Sequence, residues 1–249
     1  MFVGISLRDA AGALLDLVMP RCCVVCGHPL MLRERFICIE CLCDLPLTHY
    51  WERKHNPMAD KFNERIQDSL FQNEPYAFAA SLFFYNSESM YKRIPQHLKY
   101  ENGISSGRFF SKILGEKLAL SDWFRDVDAV IPVPLHWTRK WKRGYNQSEV
   151  IARAIAGALG CQAVLRTDIL RRNRMTRSQT RVPLGEKNLN VKGAFALKRI
   201  QPSFSPRHIL LVDDTFTTGA TLNACRIALR EQYDTSVRIS AVTLAFVSS

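Results

Sequence analysis

Apolar runs of strand length alternate with helix-period segments along most of the chain. Continuous apolar runs predict buried strands, and apolar residues spaced three and four apart predict helices. The predicted strands are 77–85, 128–134, a short one near 164, 209–212 and 239–246, and the predicted helices are 89–98, 106–120, 147–159 and 222–230. This alternation is typical of an α/β fold, in which helices flank a parallel sheet and ligands bind at the carboxyl ends of the strands.

The strand predicted at 209–212 leads into a polar segment. Asp213 and Asp214 follow it, and a Thr- and Gly-rich turn at 217–221 precedes the helix at 222–230. Backbone N–H groups of such a turn and of a helix N-terminus bind phosphate, and glycine lets the backbone approach closely. Two adjacent carboxylates suit vicinal hydroxyls, alone or through Mg²⁺. A buried strand with an Asp/Thr helix cap is the simpler alternative, but the whole run favours a phosphate and sugar site.

Two CxxC pairs near the start of the chain predict a metal site. The predicted ligands are Cys23, Cys26, Cys38 and Cys41. This spacing is typical of a structural tetrathiolate Zn²⁺ site, and a metal ion stabilises a small lobe that lacks a large core. Cys22 and Cys43 are spare thiols that complicate the assignment. Disulfides are the less favoured alternative, because nothing in the sequence marks the chain as secreted.

The composition fits one α/β core with a small appended lobe, since 47% of the 249 residues are hydrophobic. The predicted organisation is an N-terminal helix and four-cysteine lobe at 1–47, a connector or small helix at 48–75, and the α/β domain at 76–249. Charged residues interrupt the apolar segment 2–19, which favours an amphipathic helix over a signal peptide. No apolar run approaches the roughly twenty residues that span a bilayer, so we expect a cytoplasmic protein.

The net charge of +11 is concentrated in two basic runs, 139–143 and 171–177, which are predicted to lie in loops. Such runs are commonly solvated surface, but they also suit phosphate, pyrophosphate or a nucleic-acid backbone. Trp137 and Trp141 interleave with the first run. They could stack on bases, although packing along one helix face at i, i+4 spacing is the favoured interpretation.

The segment 209–221 resembles the 5-phosphoribosyl-1-pyrophosphate (PRPP) motif of type I phosphoribosyltransferases. It lacks the Gly-Lys-Ser/Thr ending of a Walker P-loop. The resemblance implies a PRPP-binding set in which the two acids hold the ribose hydroxyls, the turn binds the 5-phosphate and Mg²⁺ accompanies the ligand. That set is Asp213, Asp214, Thr215, Thr217, Thr218, Gly219, Ala220 and Thr221, with the two aspartates as the candidate catalytic residues.

Further motifs resemble the ComF (GntX-like) family of competence-associated, phosphoribosyltransferase-like proteins. They are Ile-Pro-Val-Pro-Leu-His at 131–136, Arg-Gly-Tyr-Asn-Gln at 143–147, Thr-x-x-Gln at 176–179, Asn-Val-x-Gly-Ala-Phe at 190–195 and the four-cysteine pattern. The resemblance covers nearly the whole chain. It implies a type I phosphoribosyltransferase-like sheet with a zinc-binding N-terminal lobe.

The same resemblance assigns two further groups of residues. The implied pyrophosphate loop contains Arg139, Arg143, Gly144, Asn146 and Gln147, and the implied hood over the reacting carbon, 171–192, contains Thr176, Gln179 and Lys187. The family commonly has arginine where this chain has Lys187, and an ammonium binds phosphate as a point charge rather than through two parallel hydrogen bonds. A basic loop without a hood function is the alternative.

Two functions follow from the resemblance, both within DNA uptake during natural transformation. The first is an enzyme that transfers phosphoribosyl from Mg-PRPP to a nitrogen acceptor that the sequence does not identify. The second is a PRPP-sensing module without catalysis, which binds single-stranded DNA or a DNA-translocation protein. The intact acid pair and Thr/Gly turn favour the first, and the basic runs with their tryptophans favour the second.

Overall fold

The computed structural model describes residues 20–67, 74–100, 103–173, 193–198 and 204–247. The helices are α1 Ile39–Cys43, α2 Pro57–Gln67, α3 Arg93–Tyr100, α4 Ile104–Ala119, α5 Trp137–Arg143, α6 Gln147–Leu159 and α7 Ala220–Arg230. The strands are β1 Ala79–Tyr85, β2 Ala129–Pro132, β3 Val164–Leu165, β4 Leu170–Arg172, β5 Phe195–Leu197, β6 His208–Phe216 and β7 Arg238–Val247. Among these helices, none is long and apolar enough to cross a membrane.

The predicted parallel sheet flanked by helices is confirmed. Five strands pair in the order β1-β7-β6-β2-β3, and every pairing is parallel. Alternate side chains of β6 enter two core layers: Leu210 and Val212 belong to the layer of α4 and α6, whereas Ile209 and Leu211 belong to the layer of α2 and α7. Burial on both faces explains why β6 and β7 are continuous apolar runs in the sequence.

Helix α2 lies within the segment that was predicted as a connector or small helix. Met58, Phe62 and Ile66 lie on one face at i, i+4 spacing and are buried in the core layer beside α7. The helix begins after Asn56, whose Oδ1 accepts hydrogen bonds from the N–H groups of Met58 and Ala59. Residues of the predicted connector therefore contribute to the main core.

The four-cysteine lobe joins the sheet through the chain that follows it. The N–H of Thr48 donates to the carbonyl of Leu82, and the N–H of Phe84 donates to the carbonyl of Pro46. These contacts form a short antiparallel bridge along β1, which is the edge strand of the sheet. The bridge satisfies backbone groups that an open edge would expose.

The prediction that both basic runs lie in loops is wrong. Residues 139–143 lie in helix α5, and the second run begins with Arg171 and Arg172 on strand β4, which pairs antiparallel with β5. Local capping creates the short helix: His136 is its N-cap, and Gly144 ends it with a φ of 78°. The rest of the second run lies outside the described residues.

The favoured packing of Trp137 and Trp141 is also wrong. They share a helix, but Trp137 is 72% exposed and Trp141 is 88% exposed. Helix α5 has no buried residue, because it is a short helix held by its caps rather than by an apolar face.

Glu74 ties the start of the described segment 74–100 to helix α7. Its carboxylate accepts hydrogen bonds from the guanidinium groups of Arg226 and Arg230, and all three side chains are buried. A buried cluster of this kind is costly to break, because loss of the carboxylate leaves two cations without compensation in the core.

Candidate ligand site and metal centre

The order of the strands creates a crevice at the carboxyl ends of β2 and β6. From β2 the chain continues through α5 and α6 to β3 on one side, whereas from β6 it continues through α7 to β7 on the other side. Loops that leave neighbouring parallel strands in opposite directions open a gap in which ligands bind. After β2 the chain enters the predicted pyrophosphate loop. At the end of β6 it passes through Asp213 and Asp214 into the Thr/Gly turn at 217–221.

Asp213 and Asp214 lie in the last part of β6, both partly buried. The hydroxyl of Ser148, in the first turn of α6, donates to Asp213 Oδ1 at 2.9 Å, and the N–H of Asp214 donates to the same oxygen at 2.9 Å. Both bonds end on Oδ1, which leaves Oδ2 for a further partner. Lys99, at the end of α3, places its Nζ 2.8 Å from Asp214 Oδ2.

The two carboxylates differ in their electrostatic surroundings. Burial, together with the charge of Asp214, raises the pKa of Asp213 from 3.8 to about 7, against the opposing effects of Ser148 and Lys99. Asp214 has the ammonium of Lys99 as a direct partner. The two aspartates therefore have a neighbouring cation, Lys99, beside their two carboxylates. Such a pair can accept a proton from a hydroxyl group or bind a divalent cation.

Helix α2 contacts the Thr/Gly turn through a side-chain hydrogen bond. Arg65 Nε donates to the carbonyl of Thr218 at 3.0 Å. Gly219 has a φ of 72°, and a Cβ on it would lie 2.8 Å from Cζ of Phe216, so this position requires glycine. Helix α7 begins at the next residue and has no side-chain N-cap, and uncapped N–H groups at a helix start can bind an anion.

The loop after β2 is ordered by side-chain caps. His136 Nδ1 accepts from the N–H of Thr138, and Asn146 Oδ1 accepts from the N–H of Ser148 at the start of α6. Asn146 also donates to the carbonyl of Val133 at 3.0 Å, which ties the start of α6 to the end of β2. His136 therefore acts as the capping residue of α5.

Two buried polar atoms suit an anionic ligand. Within the described part of the chain, Gln147 Nε2 and Thr218 Oγ1 are buried and have no hydrogen-bond partner. An unmet buried donor is costly, and a phosphate oxygen would satisfy it. Gln147 is the first residue of α6, directly after the loop that follows β2, and Thr218 lies in the Thr/Gly turn, so the residues present fit a phosphorylated ligand.

Arginines from two elements also converge on this region. Burial, followed by the charge of Arg139, lowers the pKa of Arg172, while the charge of Asp213 raises it. The charges of Arg139 on α5 and Asp213 on β6 therefore both act on Arg172 of β4. Thr176, Gln179 and Lys187 of the predicted hood lie outside the described residues.

The four predicted metal ligands meet in one cluster. The sulfur atoms of Cys23, Cys26, Cys38 and Cys41 all lie within 4.8 Å of one another. Cys26 Sγ and Cys38 Sγ are 3.7 Å apart, and Zn–S bonds of about 2.3 Å at tetrahedral angles place sulfurs about 3.8 Å apart. The cluster could therefore hold a metal ion such as Zn²⁺.

The backbone around the cluster favours thiolates. Burial acts to raise the pKa of Cys23, but hydrogen bonds from the backbone at Cys26, Cys38 and Val25 outweigh it, and the pKa is lowered to about 7. Burial and the neighbouring sulfurs raise the pKa of Cys41. A divalent cation would offset the repulsion among four thiolates. Cys22 and Cys43 are exposed and stand outside the cluster.

Comparison with characterised proteins gives several relatives, although no protein-family model matches the chain. Competence protein F of Haemophilus influenzae is 33% identical over 141 residues, which cover 55% of this chain and 60% of that protein. DNA utilization protein YhgH of Escherichia coli O157:H7 is 35% identical over 95 residues, or 38% of this chain and 40% of that protein. Competence protein ComFC of Streptococcus pneumoniae is 26% identical over 223 residues, or 84% of this chain and 93% of that protein.

These relatives support membership of the ComF family. The similarity to the first two proteins spans 60% and 40% of their length, both less than two thirds, whereas the similarity to ComFC spans nearly all of its length. The ComF resemblance that the sequence motifs suggested is thereby confirmed.

Several residues of this site have no signal in the sequence motifs. Lys99 reaches Asp214 from α3, and Arg65 supports the Thr/Gly turn from the predicted connector. Ser148 directly follows the predicted pyrophosphate loop, so its contact with Asp213 could have been inferred from the expected convergence of strand ends. The other two are ordinary basic residues on helices, and only the tertiary fold brings them to the site.

Proposed function

We propose that the protein binds PRPP with Mg²⁺ at the carboxyl ends of β2 and β6, and transfers its phosphoribosyl group to a nitrogen acceptor. The observation that carries this proposal is the pair of unmet buried donors, Gln147 Nε2 at the start of α6 and Thr218 Oγ1 in the turn that follows Asp213 and Asp214. Donors on two separate elements suit a ligand with two separate anionic groups. The acid pair between them suits the ribose hydroxyls.

The proposed roles follow from charge and position. The turn at 217–221 and the start of α7 bind the 5-phosphate through backbone N–H groups. The region of Arg139, Arg143, Gly144, Asn146 and Gln147 binds pyrophosphate, with Arg172 as an additional cation.

In the transfer, an acceptor nitrogen forms a bond to C1 of ribose, the bond from C1 to the pyrophosphate oxygen breaks, and the nitrogen passes a proton to water. Mg²⁺, when bound, would neutralise part of the charge of the departing pyrophosphate. The cationic side chains of Arg139, Arg143 and Arg172 would add to that stabilisation. The hood role of 171–192 stays part of this proposal, and residues 174–192 lie outside the described part of the chain.

The names of the relatives support a role in DNA uptake. They are called competence proteins or DNA utilization proteins. We place this role in the cytoplasm, where an imported strand meets nucleotide metabolism. The acceptor and any translocation partner are not identified by the site.

Thermal unfolding and pyrophosphate release together test the proposal. PRPP with Mg²⁺ at about one hundred times its dissociation constant should stabilise the protein by about 2.7 kcal/mol, because it binds only the folded state. Pyrophosphate should then be released with one member of a panel of bases and nucleosides. Stabilisation without release across the panel would favour the PRPP-sensing alternative, and no stabilisation would exclude both.

A second candidate function is binding of single-stranded DNA by helix α5. The observation that favours it is the high exposure of Trp137 and Trp141, 72% and 88%, on a helix whose other residues include Arg139, Lys140, Lys142 and Arg143. Exposed aromatic rings between cations suit stacked bases and a phosphate backbone.

Quenching of tryptophan fluorescence by an oligodeoxythymidine measures this DNA binding directly. Trp141→Ala should weaken affinity about fivefold or more, because stacking contributes about 1–3 kcal/mol per base. Trp51→Phe is a control, since Trp51 is buried and should not contact DNA. Equal affinity for wild type and Trp141→Ala would exclude α5 as the stacking surface.

A further inference from the structure

Lys99 is the cation that directly contacts the acid pair in the described structure. Its Nζ lies 2.8 Å from Asp214 Oδ2, and the two side chains are only 28% and 14% exposed. The other lysine–carboxylate pair in the described residues, Lys112 with Glu116, is 3.7 Å apart and largely exposed. An ion pair with this much burial resists screening by salt far better than a surface pair.

The surroundings of Lys99 explain why it remains charged. Burial lowers the pKa of Lys99, but the charge of Asp214, its hydrogen bond to Lys99 and the charge of Asp213 outweigh burial, so the net shift is upward. Tyr85 lies at the end of β1, and its own pKa is raised, mainly by burial, so its phenol stays neutral. The ammonium is therefore stabilised by the two carboxylates of the acid pair.

The ammonium of Lys99 occupies a carboxylate oxygen of Asp214 that the proposed ligand would use. A carboxylate that binds an ammonium through Oδ2 cannot present the same oxygen, in the same direction, to a ribose hydroxyl or to a divalent cation. A ligand that binds Asp214 through Oδ2 must therefore compete with Lys99. The carboxylate that Lys99 contacts is half-buried, at the end of β6 that borders the crevice.

We propose that Lys99 is a built-in counter-ion of the acid pair, which ligand binding displaces from Asp214 and which then donates to the anionic oxygens of the bound ligand. This inference rests on the proposed function for the identity of that ligand. In the unliganded protein the ammonium neutralises one of the two adjacent carboxylates. In the complex the same charge would neutralise part of the ligand, so Lys99 would be a ligand-binding residue.

The proposal predicts effects of opposite sign for a metal ion alone and for PRPP. The test uses Lys99→Met, which removes the charge and keeps the length of the side chain, and Lys99→Arg, which keeps the charge. Mn²⁺ alone is the first probe, since it prefers octahedral oxygen ligands as Mg²⁺ does and its free form is measured by electron paramagnetic resonance. Without the competing ammonium, Lys99→Met should bind Mn²⁺ at least about tenfold more tightly than wild type, because a charge at this distance alters carboxylate equilibria by that much or more.

PRPP with Mg²⁺ is the second probe, measured by calorimetric titration. Lys99→Met should bind PRPP about tenfold or more weakly, since it lacks the donated charge, and Lys99→Arg should recover most of that loss. Lys112→Met is the matched control, because it removes an exposed helical lysine away from the crevice. The control should leave both affinities unchanged.

Each outcome decides the proposal. Unchanged or weaker Mn²⁺ binding in Lys99→Met, or no Mn²⁺ binding in either protein, would overturn the counter-ion exchange. Tighter binding of both probes would show that Lys99 only obstructs the site, which overturns its donation to the ligand. If wild type bound no PRPP, the proposed function would fail, whereas the Mn²⁺ comparison would still decide the exchange. Should Lys99→Met fail to fold, Lys99→Gln gives the same comparison.

Discussion

Replacing Asp213 with asparagine should stabilise the unliganded protein at neutral pH. The carboxylate is partly buried beside Asp214, and these two causes raise its pKa from 3.8 to about 7. The amide of Asp213→Asn is uncharged and nearly the same shape. Its oxygen can still accept hydrogen bonds from Ser148 and from the N–H of Asp214, as Oδ1 does in wild type.

The expected gain in the free energy of unfolding follows from the raised pKa of Asp213. At about 1.4 kcal/mol for each tenfold change in proton affinity, holding this carboxylate ionised in the folded state costs at most about 4 kcal/mol. Asparagine recovers only part of that cost, because its NH₂ group needs a partner of its own. We therefore expect a gain of about 1–2 kcal/mol, which corresponds to a rise of about 2–8 °C in Tm for a chain of this length.

The gain should depend on pH in a defined window. In the unfolded chain Asp213 ionises near its ordinary pKa of 3.8, whereas in the folded protein it keeps its proton until about pH 7. Because the folded state binds the extra proton, wild-type stability from this group falls as pH rises from 3.8 to about 7 and is constant above. The advantage of Asp213→Asn should be absent below that window, grow through it and then level off.

Thermal unfolding followed by circular dichroism, at about pH 5, 6, 7 and 8 without added Mg²⁺, measures both the sign and the window. Asp214→Asn is the matched control, since it removes the partner of Lys99 and should cost about 1 kcal/mol. A lower Tm for Asp213→Asn than for wild type at pH 8, or an equal difference at pH 5 and pH 8, would refute the reasoning.

Three further predictions concern the supporting structure. Gly219→Ala should lower the free energy of unfolding by about 1–3 kcal/mol in thermal melts, because the positive φ of Gly219 and the nearby ring of Phe216 exclude a Cβ. Gly157→Ala is the control: it lies in helix α6 with open space around it, and it should raise the free energy of unfolding by about 0.5–1 kcal/mol. Elemental analysis should find about one zinc per chain in wild type and in Cys43→Ser, but far less in Cys38→Ser, and equal zinc in all three would disprove the tetrathiolate site. Glu74→Gln should lower the free energy of unfolding by about 3–5 kcal/mol in denaturant titrations, since two buried arginines lose their counter-charge, and a loss below about 1 kcal/mol would show that they find other partners.

The parts of the fold that the sequence predicted are those fixed by local pattern. Helix α6 has the predicted bounds, because apolar spacing and the Asn146 cap define it without help from the rest of the protein. The buried strands of the sheet were recognisable as continuous apolar runs, and the CxxC spacing predicted which thiols meet.

The parts that the sequence did not predict depend on tertiary contacts or on weak local signals. Helix α5 contains no apolar stripe that packs, so its basic run resembled a loop, and the exposure of its tryptophans could not be read from spacing. Lys99 reaches Asp214 only because α3 and β6 are adjacent in the fold. A periodic pattern predicts which face of an element is buried. It does not predict which polar side chains of different elements contact one another at the edge of the sheet.

Calorimetric titration of PRPP with Mg²⁺ into wild type and into the Asp213→Asn, Asp214→Asn double variant tests the central claim most directly. The account predicts saturable binding at one site per chain in wild type, and loss of that binding in a double variant that still unfolds cooperatively. Absence of binding to folded, zinc-replete wild type, or equal binding by both proteins, would contradict the assignment of the acid pair as a ribose clamp.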